Sequence, residues 1–207
     1  MASKLEIYNM ALGHLGERKI SSLSEAREPR RVLDDFYDAV VAGCLEEGFW
    51  NWAMRTVEHA SSDSYEPSFG LTYAFEKPTD WVRTYLISTS ERMDPPLLEY
   101  VDEGGLWYAD NDPLYIKYVS NGTSYGLDLS LWSQRFADYV AANLAVKACK
   151  RVTGSLDENL FKIEDKARRK AKSKDAMDEP PGFAPTGTWV RSRGASADRR
   201  RWNGQTT

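Results

Sequence analysis

The sequence predicts an α+β fold: a bundle of about four helices with an antiparallel β insertion between the second and third helices. Two observations predict this class. Apolar residues recur at helical spacing near both ends of the chain, whereas Tyr, Val, Thr and Trp are enriched over about residues 53–120. With 207 residues, of which 42% are hydrophobic, the chain can bury one sizeable core. We therefore expect one domain over residues 1–179, followed by an extended C-terminal tail over residues 180–207.

The first two helices are predicted over residues 3–16 and 29–48. Gly16 suits the end of the first helix because glycine adopts left-handed geometry, and Pro29 is tolerated in the first turn of the second. The apolar face of the first helix comprises Leu5, Tyr8, Leu12 and Leu15. That of the second comprises Val32, Leu33, Phe36, Val40 and Leu45.

The aromatic stretch "GFWNWA" marks the junction between the second helix and the first strand. Aromatic side chains bury large apolar areas. We therefore expect Phe49, Trp50 and Trp52 to be buried and to fix the angle between the bundle and the strands.

The β insertion is predicted to contain four to six short antiparallel strands. Its turn signals "KPTD", "MDPP", "DEGG" and "DNDP" are spaced like those of a meander. In the last strand, Leu114, Ile116 and Tyr118 alternate with Tyr115, Lys117 and Val119. This alternation predicts a strand with two fairly apolar faces.

The last two helices are predicted over residues 129–153 and 156–177. One side of the third carries Trp132, Phe136, Val140 and Leu144. Beside it runs a stripe of Ala137, Ala141, Ala145 and Ala148, which should let helix one or two approach closely. The fourth carries an apolar stripe of Leu156, Leu160, Ile163 and Ala167. It also carries three acid–base pairs at a spacing of four: Glu158 with Lys162, Glu164 with Arg168, and Asp165 with Arg169.

Charge is distributed unevenly along the chain. Residues 1–161 hold 15 basic and 25 acidic side chains, whereas residues 162–207 hold 12 basic and 6 acidic ones. An acidic body with a basic end indicates docking onto an acidic surface, or a bipolar molecule that stacks. The chain has no apolar run long enough for a membrane span and no signal-peptide pattern at its start, so we expect neither a membrane partner nor secretory export.

Catalytic and cofactor motifs are not apparent. His14 and His59 are the only histidines, and Cys44 and Cys149 are far apart in apolar helical patterns, where buried thiols are expected. No phosphate-binding glycine motif occurs. Carboxylate pairs for sugar hydrolysis can be drawn from Glu46, Glu47, Asp102 and Glu103, but acids are too frequent here for a pairing to carry weight. We expect no enzyme activity, no cofactor and no metal.

Four stretches, "NMALGHLGERKISSLSE", "CLEEGFWNWAMR", "YAFEKPTDWVRTY" and "LYIKYV", occur in this order across nearly the whole chain. Together they resemble the tail tubular protein A family of short-tailed bacteriophages, which are head-to-tail adaptors or gatekeepers. The residues that carry the resemblance are Asn9, Ala11, Leu12, Leu15, Gly16, Leu45, Trp50, Ala53, Pro78, Asp80, Arg83 and Tyr118. The departures are Trp52, where the family more often has another aromatic, and the arginine-rich end.

The resemblance implies a structural virion protein in the neck region, assembled in the host cytoplasm. It implies a ring, generally of twelve copies, that binds the portal protein above and a tail or nozzle protein below. Genomic DNA would pass through the channel without specific binding, and an acidic body suits this because like charge lets phosphate slide. The helices would form the ring wall, and the β insertion would meet the tail component.

The C-terminal tail is predicted to dock on the portal. Tryptophan and arginine are the side chains that most often dominate interfaces. The predicted portal-binding residues are Trp189, Arg191, Arg193, Arg199, Arg200, Arg201 and Trp202. The tryptophans would anchor in apolar pockets and the arginines would pair with acidic groups.

Two functions of other classes remain open. The same arginines could contact nucleic-acid phosphates while the tryptophans stack on bases. A cell-wall lytic enzyme would need a carboxylic acid of raised pKa near a second carboxylate. A generic interaction domain unrelated to phage is a third interpretation.

Overall fold

A computed structural model describes residues 2–178 of the protein. It contains four helices and two small antiparallel sheets, which confirms the predicted α+β class. The helices are α1 (Lys4–His14), α2 (Glu28–Glu46), α3 (Gln134–Thr153) and α4 (Glu158–Asp178). The C-terminal tail lies outside the described residues.

The start of α1 is fixed by a capping box. The Ser3 hydroxyl accepts a hydrogen bond from the Glu6 backbone N–H at 3.2 Å, and the Glu6 carboxylate accepts one from the Ser3 N–H at 2.9 Å. Beyond the helix, Gly16 has a φ of 72°, as expected of the residue that ends it. Asn9 then holds the following loop, since its side chain exchanges two hydrogen bonds with the backbone of Ile20.

Both C-terminal helices begin later than predicted. α3 starts at Gln134, because Ser133 caps it and the Trp132 indole N–H donates to the Gly126 carbonyl at 3.0 Å in a preceding turn. α4 starts at Glu158, after a turn in which the Asp157 carboxylate accepts from the backbone. Leu156 therefore lies ahead of α4 and is 62% exposed, which corrects its assignment to the apolar stripe.

α3 lies at the centre of the bundle, and α1, α2 and α4 all pack against it. Its alanine stripe is fully buried, as expected for a helix that neighbours approach closely. Buried aromatic residues complete this first core, with the Trp50 ring 4.7 Å from that of Phe136.

The β insertion contains six strands. They are β1 (Met54–His59), β2 (Tyr73–Glu76), β3 (Trp81–Ser88), β4 (Val101–Glu103), β5 (Leu106–Ala109) and β6 (Leu114–Ser120). One sheet has the order β1-β6-β3 and the other β2-β5-β4. The pairing of β1 with β6 differs from a meander, because it joins the first and last strands of the insertion and so returns the chain to the bundle.

The central strand β6 confirms the expectation of two apolar faces. Ile116 and Tyr118 point into a second core, which also contains Phe75 and Trp107. Val119 points the other way and belongs to the first core. The two cores therefore lie on opposite sides of one sheet.

Candidate interaction surfaces

The predicted portal-binding residues, Trp189 to Trp202, lie outside the described residues. The other predicted group, at the helix-to-strand junction, lies within them. Trp50 is 1% exposed and its indole N–H donates to the Cys44 carbonyl at 2.9 Å. Trp52 is half-buried against Phe136, with ring centroids 4.8 Å apart.

Phe49, the third junction residue, is 37% exposed. It nevertheless joins the two parts of the molecule, because its ring lies 5.1 Å from that of Tyr85 in β3. The Arg83 guanidinium stacks 4.1 Å from the same ring and donates to the Glu46 carbonyl at 3.3 Å. These contacts attach β3 to the end of α2.

A polar cluster at the foot of the insertion centres on Asp80. Its carboxylate accepts hydrogen bonds from Arg55 at 2.8 Å, from Tyr118 at 3.0 Å and from Ser120 at 2.5 Å. Partial burial opposes ionisation, but these hydrogen bonds outweigh it and hold the pKa of Asp80 below its ordinary value. The cluster ties the loop before β3 to β1 and β6.

The loop between β3 and β4 displays an apolar side chain among acids. Leu98 is 85% exposed, and Asp94, Glu99, Asp102 and Glu103 lie within five residues of it. The loop is held in place, since the Leu97 N–H donates to the Ile87 carbonyl and the buried Ser88 hydroxyl to the Pro95 carbonyl, both at 2.8 Å. We call residues 89–100 the Leu98 loop. A fixed loop of this kind suits a docking contact.

The whole insertion is acidic. Residues 54–120 contain twelve acidic and five basic side chains. Two of the four carboxylates named as possible hydrolytic pairs are engaged in ion pairs: Asp102 with Lys77 at 2.6 Å, and Glu47 with Lys172 at 3.1 Å.

α4 carries a net basic charge, opposite in sign to that of the insertion. Seven of its side chains are basic and five are acidic. Of the three predicted pairs, Asp165–Arg169 forms at 2.8 Å. Arg168 instead contacts Asp165 at 2.7 Å and Glu47 at 3.6 Å. The C-terminal end of α4 is also fastened, because the Asp175 carboxylate accepts from the Asn51 N–H at 3.1 Å.

A groove of about 610 Å³ runs between α1, α3 and α4. Its apolar lining comes from Met10, Ile163 and Ala167, and its edge carries Lys166 and Lys170. Neither lysine forms an ion pair within residues 2–178. The complete lining of this bundle groove is Met10, Gly13, His14, Arg135, Asp138, Ile163, Lys166, Ala167 and Lys170. Such a surface suits a docking segment with acidic and apolar groups.

The groups expected to be chemically inert occupy ordinary positions. Cys44 and Cys149 are buried free thiols, and burial raises the pKa of Cys44 to about 12. His59 contacts the Glu76 carbonyl at 2.5 Å, and His14 lines the bundle groove. In the described part of the chain, no group of His, Cys, Asp and Glu side chains is placed to hold a metal ion. None of the helices over these residues has an apolar run that could cross a membrane.

One carboxyl group departs from this pattern. Burial raises the pKa of Glu164, and the neighbouring Asp165 and Glu47 raise it further, against the lowering effect of Arg168. From the sequence, Glu164 is predicted only to be an ion-pair partner of Arg168. Its raised pKa depends on the packing of α4 against the bundle, which no sequence pattern reveals.

No protein-family model matches the chain, and no curated protein matches its sequence. The resemblance to tail tubular protein A therefore stays a prediction.

Proposed function

We propose that the protein is a head-to-tail adaptor of a short-tailed bacteriophage. In this proposal it is a structural protein that forms a ring between the portal and the phage tail and lines the channel through which DNA leaves. The helical bundle forms the ring wall, and the β insertion meets the tail component below.

The observation that carries the proposal is the separation of two docking surfaces of opposite charge on two distinct cores. The bundle groove presents unpaired lysines over an apolar lining. The insertion presents Leu98 among carboxylates, on a loop held by backbone hydrogen bonds. A ring adaptor needs one surface for the neighbouring copy and another for the tail component, and complementary charge selects the partner at each.

The contacts between the insertion and the end of α2 support the same role. Arg83 joins the insertion to the bundle through Phe49 and the Glu46 carbonyl, and Val119 packs into the first core. The Asp80 cluster holds the strands of the insertion to one another. An adaptor transmits register from the portal to the phage tail, so a fixed angle between its two docking surfaces is expected. Hydrogen bonds at defined angles set that orientation more specifically than apolar contact alone.

The test is electron microscopy of the purified protein with and without portal. We expect single copies or weak association alone, and a ring seated on the portal when both are mixed. In the same assay, deletion of residues 188–207 should abolish portal binding. In a thermal unfolding measurement, the deletion should leave the melting temperature of the bundle nearly unchanged. A full-length protein that never binds a portal under conditions where the portal is intact would overturn the proposal.

The nucleic-acid alternative is separated by the same deletion. If the truncated protein still docks on the portal and loses only DNA affinity, the tail is a phosphate-binding segment. Its affinity should then fall steeply with salt and persist in the isolated tail peptide.

The raised pKa of Glu164 is the observation that favours the lytic alternative, because a general acid needs a raised pKa. A turbidity assay on purified cell walls distinguishes the two functions. The adaptor predicts no clearing by either the native protein or Glu164→Gln. Clearing by the native protein that Glu164→Gln abolishes would favour the enzyme.

A further inference from the structure

The outer face of α2 forms one continuous stripe. Its exposed positions are spaced three or four residues apart, apart from the adjacent pair Asp38 and Ala39, which places them on one side of the helix: Glu28, Arg31, Asp35, Asp38, Ala39, Ala42 and Glu46. Ala39 and Ala42 occupy the middle of this α2 outer face, which carries four acids and one base, Arg31. Two of the acids, Glu28 and Asp35, are paired with Arg151 of the same copy. Asp38 and Glu46 are exposed, and neither side chain has an ion-pair partner within the part of the chain that the structure describes.

The bundle groove has the complementary properties. It is concave where the α2 outer face is convex, and its side chains Met10 and Ile163 are large where those of α2 are small. Beyond the groove, a second depression continues along α4 through Arg135 and Lys170 to Arg169 and Lys174. Cationic side chains thus follow the groove over about two turns of α4. Of these, Arg169 and Lys174 pair with acids of the same helix, whereas Lys166 and Lys170 form no ion pair in the described part of the chain.

The α2 outer face cannot fill the groove of its own copy. α2 packs on α3 with its opposite, apolar side, whereas the groove is formed by α1, α3 and α4. The two surfaces therefore face different neighbours.

We propose that the α2 outer face of one copy docks in the bundle groove of the next copy. Ala39 and Ala42 allow the helix to approach Met10 and Ile163 closely, at an axis separation of about 8 to 10 Å. Asp38 and Glu46 then lie near Lys166 and Lys170. Because the two surfaces differ, each copy keeps one free groove and one free α2 face, and the contact repeats into a closed ring or an open filament. The inference rests on the proposed function only for the role of that ring; the contact itself needs no portal.

Charge exchange tests the pairing. Asp38→Lys with Glu46→Lys makes the α2 face basic, and Lys166→Glu with Lys170→Glu makes the groove acidic. Either double variant alone should weaken self-association at least tenfold in sedimentation measurements at low salt. An equal mixture of the two should restore it, since each new basic face meets a new acidic groove. Single charge reversals of the same sign at exposed positions elsewhere, Asp63→Lys and Lys147→Glu, are the controls and should self-associate like the native protein.

Cross-linking tests the contact at low affinity. Ala42→Cys and Gly13→Cys are prepared as separate proteins and mixed with a short bismaleimide. Gly13 tolerates a side chain because an added Cβ meets no atom within 4 Å, and the native thiols are buried. We expect covalent dimers from this mixture and none when Asp63→Cys replaces Gly13→Cys.

Each outcome bears on the contact or on the function separately. No cross-link at the highest protein concentration, or a mixture of charge variants that fails to recover, overturns the α2–groove contact. Portal binding without any such cross-link would leave the proposed function standing. Cross-linking in a protein that never binds portal would support the α2–groove contact and overturn the proposed function.

Discussion

The helical bundle and the β insertion are held together by different forces. The bundle has one continuous apolar core around α3, in which Trp50 and Phe136 are fully buried. The insertion has a smaller core, its strands are held to one another by the Asp80 cluster, and it is joined to the bundle by Val119 and Arg83. The difference teaches that the stability of the bundle resides mainly in its apolar core, whereas the strands of the insertion depend more on a few specific hydrogen bonds. Substitutions in the bundle core and in the insertion test this difference between the two regions.

The largest effect is expected from Trp50→Ala. Trp50 fills the bundle core and donates to the Cys44 carbonyl, so its removal leaves a cavity and an unpaired carbonyl oxygen. We expect a loss of about 3 to 5 kcal/mol in the free energy of unfolding, measured by urea denaturation. Unchanged unfolding with lost assembly would instead place Trp50 at a contact between copies.

Replacement of each junction tryptophan by phenylalanine tests the hydrogen bond of Trp50 separately from its packing. Trp50→Phe loses a hydrogen bond, whereas the Trp52 indole N–H has no partner within residues 2–178. We expect Trp52→Phe to change the unfolding free energy by less than Trp50→Phe does, because removing an unpaired buried donor costs little. Equal losses from the two variants would contradict the assignment of the hydrogen bond.

The next effect concerns the insertion. Asp80→Asn removes a charge and one of two acceptor oxygens, so Arg55, Tyr118 and Ser120 cannot all be satisfied. We expect a loss of about 1.5 to 3 kcal/mol. Because the folded-state pKa of Asp80 is lowered, its contribution is present above the ordinary value of 3.8 and is lost as pH falls through the folded pKa.

The pH series is the measurement for this cluster. The difference in unfolding free energy between native and Asp80→Asn proteins should be constant near neutral pH and shrink below about pH 4. A difference that persists unchanged in acid would show that the amide perturbs packing and not charge. Asp63→Asn, at an exposed acid of the same insertion, is the matched control and should have little effect at any pH.

A smaller effect is expected where β6 turns back to the bundle. A Cβ on Gly126 would lie 2.2 Å from the Ser120 carbonyl oxygen, so Gly126→Ala must displace backbone. We expect a loss of about 1 to 3 kcal/mol by thermal unfolding. Gly13→Ala is the control, because its added methyl meets no atom within 4 Å and helix propensity improves. A neutral Gly126→Ala would mean that this turn is free to shift.

The sequence predicts the bundle better than it predicts the surfaces. Helical periodicity depends on neighbours three and four residues apart, so the apolar faces and the alanine stripe of α3 could be identified locally. Asp80 has partners 25, 38 and 40 residues away, and no local pattern links them. Leu98 lies in "PPLLEY" beside the partly buried Leu97, and the sequence does not distinguish the exposed leucine from the partly buried one. The bundle groove depends on how α1 and α4 pack on α3, which periodicity does not determine.

The smallest effect is expected from Glu164→Gln, which should increase the free energy of unfolding, whereas the variants above, apart from the controls, decrease it. The pKa of Glu164 is raised mainly by burial, so the folded state favours its neutral form over the ionised one. Below the ordinary value of 4.5 the carboxyl costs nothing, and as pH rises through the folded pKa the ionised group destabilises the bundle. Glu164→Gln should therefore raise the free energy of unfolding at pH 7 by about 0.5 kcal/mol, because solvent screens most of the shift, and the gain should vanish in acid. The matched control is Glu158→Gln in the first turn of α4, where an acid favours the helix and its loss should lower stability slightly. Denaturation at pH 7 and in acid decides the sign. A loss of stability from Glu164→Gln at pH 7 would mean that the electrostatic attraction of Arg168 for the Glu164 carboxylate outweighs the cost of burial.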